Sequence, residues 1–128
     1  MNTYILDTHT LIWSLFDSAK LSKSVQTIIM DKSAKKDISV ATMWEIAIKS
    51  RIGKLPLPRD ISGIFSDIKM NGFGILDIEH EAIEIYNTLP LLHRDPFDGI
   101  IIATAILGNL TIITTDEDIQ KYDVSWVW

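Results

Sequence analysis

The chain contains no cysteine, which excludes disulfides and thiolate metal sites and leaves the compartment open. Its opening residues, "MNTYILDTHT", lack the basic start and long apolar run of a secretory signal. No apolar run approaches the roughly 20 residues that span a bilayer, so no membrane association is expected. A soluble, cytoplasmic protein is the expectation. Positive charge is also scarce: 12 Lys and Arg stand against 17 Asp and Glu, for a net charge of −5. That balance excludes a protein gripping nucleic acid by bulk positive charge. It leaves room for a nuclease whose acidic site carries metal ions, because bound cations invert the local charge. With only 4 Pro and 6 Gly, nothing reads as a linker, and no repeat or low-complexity segment interrupts the chain. One domain over residues 1–128 is expected, and at 47% hydrophobic residues it can build a substantial core.

What is present alternates. "TYIL" (Thr3–Leu6) reads as a strand ending at Asp7, and "THTLIWSLF" as a helix. "LSKSVQTIIMDKSA" carries Val25, Ile28 and Ile29 on one helical face. "DISV" (Asp37–Val40) is a strand, followed by the helix "ATMWEIAIKSRI", which Gly53 breaks. A helix over Asp60–Met70, the strand "FGILDI" and a helix over Glu79–Thr88 follow. The last third reads as the apolar helix after "HRDPFD", the strand "LTIITT", a short helix at "EDIQKY" and a final strand in "VSWVW". Strands alternate with helices and hairpin signals are absent. The pattern predicts an α/β protein, a three-layer α/β/α sandwich around a parallel sheet of about five short strands.

In open α/β sheets, ligands bind beyond the carboxyl ends of the strands. Asp7 ends the first predicted strand and Asp116 the fourth; Glu45 lies early in the helix after the second, and Asp98 opens the helix leading to the fourth. Helix starts attract Asp for capping, so such acids are expected in any protein of this class. In "DPFD", Asp95 suits the cap and Pro96 the first helical position, leaving Asp98 to reach back as a capping box. Yet Asp98 shares its helical face with Ile101, Ile102 and Ala105, and Glu45 shares its own with Ala41, Ile48 and Ile52. The partner in reach of Glu45, Lys49 at i+4, contributes only about 0.2–0.5 kcal/mol. Carboxylates converging at about 5 Å repel by roughly 3 kcal/mol per pair at an effective dielectric near 20. Such a cluster must take up protons or bind a cation, and all-oxygen donors favour Mg²⁺ or Mn²⁺. A divalent metal is therefore the expected partner of Asp98.

The segments "YILDTHTLIW", "ISVATMWEIAIKSRIGKLPLP", "HRDPFDGIIIATA" and "LTIITTDEDIQKYDV", in this order and spacing, resemble PIN-domain proteins, specifically the VapC-type toxins of bacterial toxin–antitoxin pairs. The resemblance covers essentially the whole chain. It implies a metal-dependent endoribonuclease whose quartet, mapped onto Asp7, Glu45, Asp98 and Asp116, holds Mg²⁺ or Mn²⁺. It also implies a cognate antitoxin, an RNA substrate and a homodimer. Asp7 and Asp98 are the expected direct ligands; Glu45 either ligates or orients the water, and Asp116 binds directly or through a second ion. Relatives with "DPFD" often carry Arg next, where this chain has Gly99, which removes a phosphate contact. Arg94 and Lys49 are candidate substrate contacts. Thr8 and Thr114 are candidates to orient carboxylates, while His9 and His93 lack a zinc-like spacing. Two alternatives stand beside this reading: a PIN fold kept for RNA binding or assembly without turnover, and a receiver-like signalling domain with acids at its strand ends.

Overall fold

The computed structural model describes residues 2–128. Thr3–Leu6 form β1, and Asp7 caps α1, Thr8–Phe16, by accepting from the Thr10 backbone N–H. A 3₁₀ turn at Ser18–Lys20 leads to α2, Lys23–Met30, capped by Ser22. β2 (Lys35–Ser39) runs directly into α3 (Val40–Arg51), with Ser39 as the cap between them. Then come α4 (Ile61–Met70), β3 (Gly74–Leu76), α5 (His80–Thr88) and α6 (Pro96–Gly108). β4 (Thr111–Ile113), α7 (Glu117–Gln120) and β5 (Trp126–Val127) complete the described chain.

The five strands form one wholly parallel sheet in the order β3-β2-β1-β4-β5. Its strands are flanked by seven α-helices, the expected α/β/α sandwich. A receiver-like domain would carry the order 2-1-3-4-5, so the topology removes that alternative. Alternation along the strands divides the interior. Leu6, Ile38 and Ile113 face one layer, with Leu11 of α1, Val25 of α2, Ile46 of α3 and Ile64 and Ile68 of α4. Ile5 and Ile112 face the other, with Ile101, Ile102 and Ala105 of α6 and Ile119 of α7. α5 and α6 make an antiparallel hairpin on that second side. Tyr86 in the last turn of α5 lies against Gly99 in the first turn of α6.

Several boundaries differ from expectation by a residue or more, and two of them share a cause. The second helix stops at Met30, although "LSKSVQTIIMDKSA" reads as helical throughout, and β2 begins at Lys35 rather than Asp37. One side chain accounts for both. Lys36 is buried in β2, and its ammonium donates to the carbonyls of Ile29 and Asp31 at 2.8 Å each, closing the C-terminal end of α2. Among the described residues, no helix is long and apolar enough to cross a membrane.

Candidate metal centre

The carboxylates flagged in the sequence come from four separate segments, and three acids in the region are helix caps. Asp7 Oδ1 accepts from the Thr10 N–H at 2.9 Å and Asp116 Oδ1 from the Asp118 N–H at 2.8 Å. Asp95 Oδ1 takes the N–H groups of Phe97 at 2.9 Å and Asp98 at 3.1 Å. Capping and clustering are thus not alternatives. Each cap engages the helix start through one oxygen, which fixes the carboxylate at the point where its chain meets the rim.

The remaining oxygens are held by residues distant in sequence. Thr114, at the end of β4, donates its hydroxyl to Asp7 Oδ2 and accepts the Asp116 N–H at 2.9 Å, so one threonine orients two of the four acids. Thr8 donates to Glu45 Oε1 at 2.5 Å, and Lys49 holds Glu45 Oε2 at 2.7 Å. Glu45 is 3% exposed, with both oxygens engaged, so the i+4 lysine does help to hold it inside. Asp98 makes no bond back to the Asp95 backbone among the described residues, and the expected capping box is not formed. Its Oδ2 lies 3.3 Å from His93 Nε2, while the other ring nitrogen of His93 lies 3.0 Å from the Tyr122 hydroxyl.

The electrostatics single out Asp98. Burial, followed by the charges of Asp95, Asp116, Glu45 and Asp7, pushes its carboxyl up to about 8. Burial also raises Asp7, against the opposing hydrogen bonds of Thr10 and Thr114. Lys49 is held above its ordinary range, first by its bond to Glu45 and further by the charges of Asp95 and Asp98. The other three quartet members therefore act on one carboxyl, with Asp95 as a fourth acid. As they stand, no three acidic or histidine side chains among the described residues are drawn close enough to cage an ion. The Glu45–Lys49 and Asp98–His93 contacts are what engage the acids instead.

A PIN-domain family model matches residues 4–125. The chain belongs to the PIN-domain family. Solved structures agree at the level of fold. A VapBC complex of Salmonella typhimurium bound to DNA superposes with a TM-score of 0.73 at 17% identity, covering 99% of this chain and 98% of that one. VapBC2 of Rickettsia felis, bound to a fragment of promoter DNA, gives 0.72 at 16% identity, with 98% and 97% covered. FitAcB from Neisseria gonorrhoeae gives 0.66 at 18%, with 98% and 96% covered. Among curated proteins, none matches this sequence.

Within this PIN domain, Gly99 has a packing reason. A Cβ there would overlap the Tyr86 ring, so any larger residue would require that ring to move. The position is a helix–helix contact and not merely a lost phosphate contact. Arg94 is exposed and makes no ion pair among the described residues, whereas Lys49 is committed to Glu45. His93 is the residue that sequence reasoning undervalued. Its only signal was a position five residues before Asp98, and its second partner, Tyr122, lies 29 residues further along.

Proposed function

We infer that this PIN domain, read as one unit over residues 1–128, is a divalent-metal-dependent endoribonuclease, the VapC-type toxin of a toxin–antitoxin pair. The observation that carries this reading is the crowding at Asp98. A carboxyl raised to about 8 by burial and by four acidic neighbours wants a counter-charge, and the structure supplies only a histidine beside it. The donor set suits a hard cation: every candidate ligand is a carboxylate oxygen and the chain has no thiol. Asp7 and Asp98, with Glu45 and Asp116, would hold Mg²⁺ or Mn²⁺. When bound, such an ion supplies a water of lowered pKa and stabilises charge on the phosphodiester.

The chain's own residues supply the rest. Thr114 and the helix caps hold Asp7 and Asp116 in place. Glu45, tethered between Thr8 and Lys49, would either ligate the ion or orient the attacking water. Arg94, exposed and with no ion pair among the described residues, would be free to contact the substrate; Lys49 would reach phosphate only by releasing Glu45. Hydrolysis with the 3′ oxygen leaving would yield 5′-phosphate ends. The neighbouring folds include complexes bound to DNA, which supports a cognate antitoxin as partner. Trp44 and Ile52 on and after α3, 63% and 58% exposed, offer an apolar face for that antitoxin or for a homodimer. A cytoplasmic location accords with an RNA target.

The test is cleavage of labelled total RNA by the purified chain with Mn²⁺ or with EDTA, alongside Asp98→Asn. Metal-dependent cuts bearing 5′-phosphates and lost in the variant are expected. RNA that is bound yet survives Mn²⁺ would instead support a PIN fold kept for binding alone.

A further inference from the structure

Beside the acids, on the far side of His93, lies a cavity of about 330 Å³. It is bounded by the last turn of α5, the loop into α6 and the residues after α7, with Tyr86, Asn87, Leu89, Gly99 and Tyr122 among its walls. Two features tie it to the acid site. His93 is shared: one ring nitrogen meets Asp98, the other meets the Tyr122 hydroxyl in the cavity wall. Asp95 is shared as well, capping α6 through Oδ1 while lining the cavity. The opening therefore begins one imidazole away from Asp98, comparable to the sugar that separates a base from its phosphate.

We propose that this cavity is a subsite for one unpaired nucleobase of the RNA strand, the base flanking the phosphate bound at the acids. The proposal rests on the ribonuclease reading and adds to it a source of sequence preference. The volume is at the lower end of ligand pockets and has room for a base. Tyr86, 39% exposed, presents an aromatic ring at the entrance, and Gly99 leaves the room in which that ring sits. Aromatic faces beside a nuclease site serve unpaired bases, which stack on them without regard to identity. The polar groups then discriminate. Asp95 Oδ2 has no hydrogen-bond partner among the described residues, and a carboxylate accepts from the exocyclic amino groups of adenine, cytosine or guanine. Uracil offers only carbonyl oxygens at the corresponding position. Asn87, exposed at the rim, supplies both a donor and an acceptor to the base edge.

The experiment has a binding arm and a cleavage arm. Short single-stranded RNAs differing at one nucleotide are bound to the Asp98→Asn protein, where no cutting occurs, and cut by the otherwise wild-type protein with Mn²⁺. Bases carrying an amino group are expected to outbind uracil at one position flanking the cut. Tyr86→Ala is expected to weaken binding about 10-fold, Tyr86→Phe to retain it, and Asn87→Ala to flatten the preference. Because Tyr86 also packs against α6, the exposed Asn87 provides the variant free of folding effects. Affinity unchanged by Tyr86→Ala together with a base preference unchanged by Asn87→Ala overturns the subsite, as does wild-type binding without any base preference. Variants that bind RNA normally but lose affinity for a protein partner overturn it too, and reassign the cavity to that partner. A base preference that depends on Tyr86 in a protein that never cuts would uphold the subsite and sink the nuclease reading.

Discussion

Two buried carboxylates on the same sheet behave differently, and the contrast shows what marks the candidate site. Asp37 lies in β2, paired in register with Ile5, and is 2% exposed beneath the second helical layer. Its only charged partner is the ammonium of Lys35, 3.5 Å from Oδ2, an oxygen that accepts no hydrogen bond among the described residues. Asp98 is less exposed to solvent than most surface acids, its side chain 13% exposed, and burial together with four acidic neighbours raises its carboxyl to about 8. Burial alone is therefore a poor guide to function. Like-charge crowding is the better one, because a fold does not gather carboxylates around one point without a compensating role.

The largest effect that sharpens this contrast is on turnover. Asp98→Asn removes one of the proposed ligands and the centre of the crowding, and cleavage should fall by about 10³-fold or more. The check is single-turnover cleavage with saturating Mn²⁺. Activity within tenfold of the parent would move the chemistry away from Asp98.

Next in size is a dependence on pH. The folded-state pKa of Asp98 lies above its unfolded value of 3.8, so the native state holds the proton more tightly. Stability without metal is then highest near the unfolded pKa and declines as pH rises toward about 8, by on the order of a few kcal/mol. Asp7, raised in the same direction, adds to the slope. Urea melts in EDTA between pH 5 and 9 test this. In Asp98→Asn much of the decline should vanish, leaving that variant the more stable protein at pH 8. A variant melting well below the parent would return Asp98 to a capping role.

Much of this was legible in the sequence, and the limits have physical reasons. β1 and α1 were read to the residue because Asp7 punctuates them, ending one and capping the other. The rim at which these acids lie was legible because strand ends and helix starts converge at one edge in any parallel sheet. Periodicity hid whatever depends on contacts across the fold. Lys35 and Lys36 look like loop until Lys36 is seen closing α2. Thr8 and Thr114 were candidates to orient carboxylates from their places beside Asp7 and Asp116, but which acid each holds, Asp7 for Thr114 across 107 residues and Glu45 for Thr8 across 37, no local pattern gives. Trp44 and Phe97, each one residue before an acid, meet edge to face at 5.5 Å and join α3 to α6, a contact no spacing reveals.

A smaller effect breaks the other half of the comparison. A Cβ on Gly74 would overlap Asp37 Oδ1 across the β2–β3 pair. Asp37 is buried and cannot swing clear, so Gly74→Ala should cost about 1–3 kcal/mol in urea denaturation. Cleavage per folded molecule should be unchanged, because nothing in this region acts on Asp98. A drop in specific activity would show that the two regions are coupled through β2, which leads directly into the helix carrying Glu45.

The smallest effect is the most diagnostic. Asp37→Asn keeps the shape of the side chain and removes its charge, leaving Lys35 without its partner. Lys35 is 62% exposed, so the pair resembles a surface ion pair and its loss should cost no more than about 1 kcal/mol. The same chemical change at position 98 is expected to stabilise the metal-free protein at pH 8. Opposite signs for the two Asp→Asn substitutions, measured in one buffer with EDTA, would mean that neighbouring charge decides the outcome. Equal stabilisation at both positions would mean that burial alone suffices, and crowding at Asp98 would lose its standing as the mark of a metal centre.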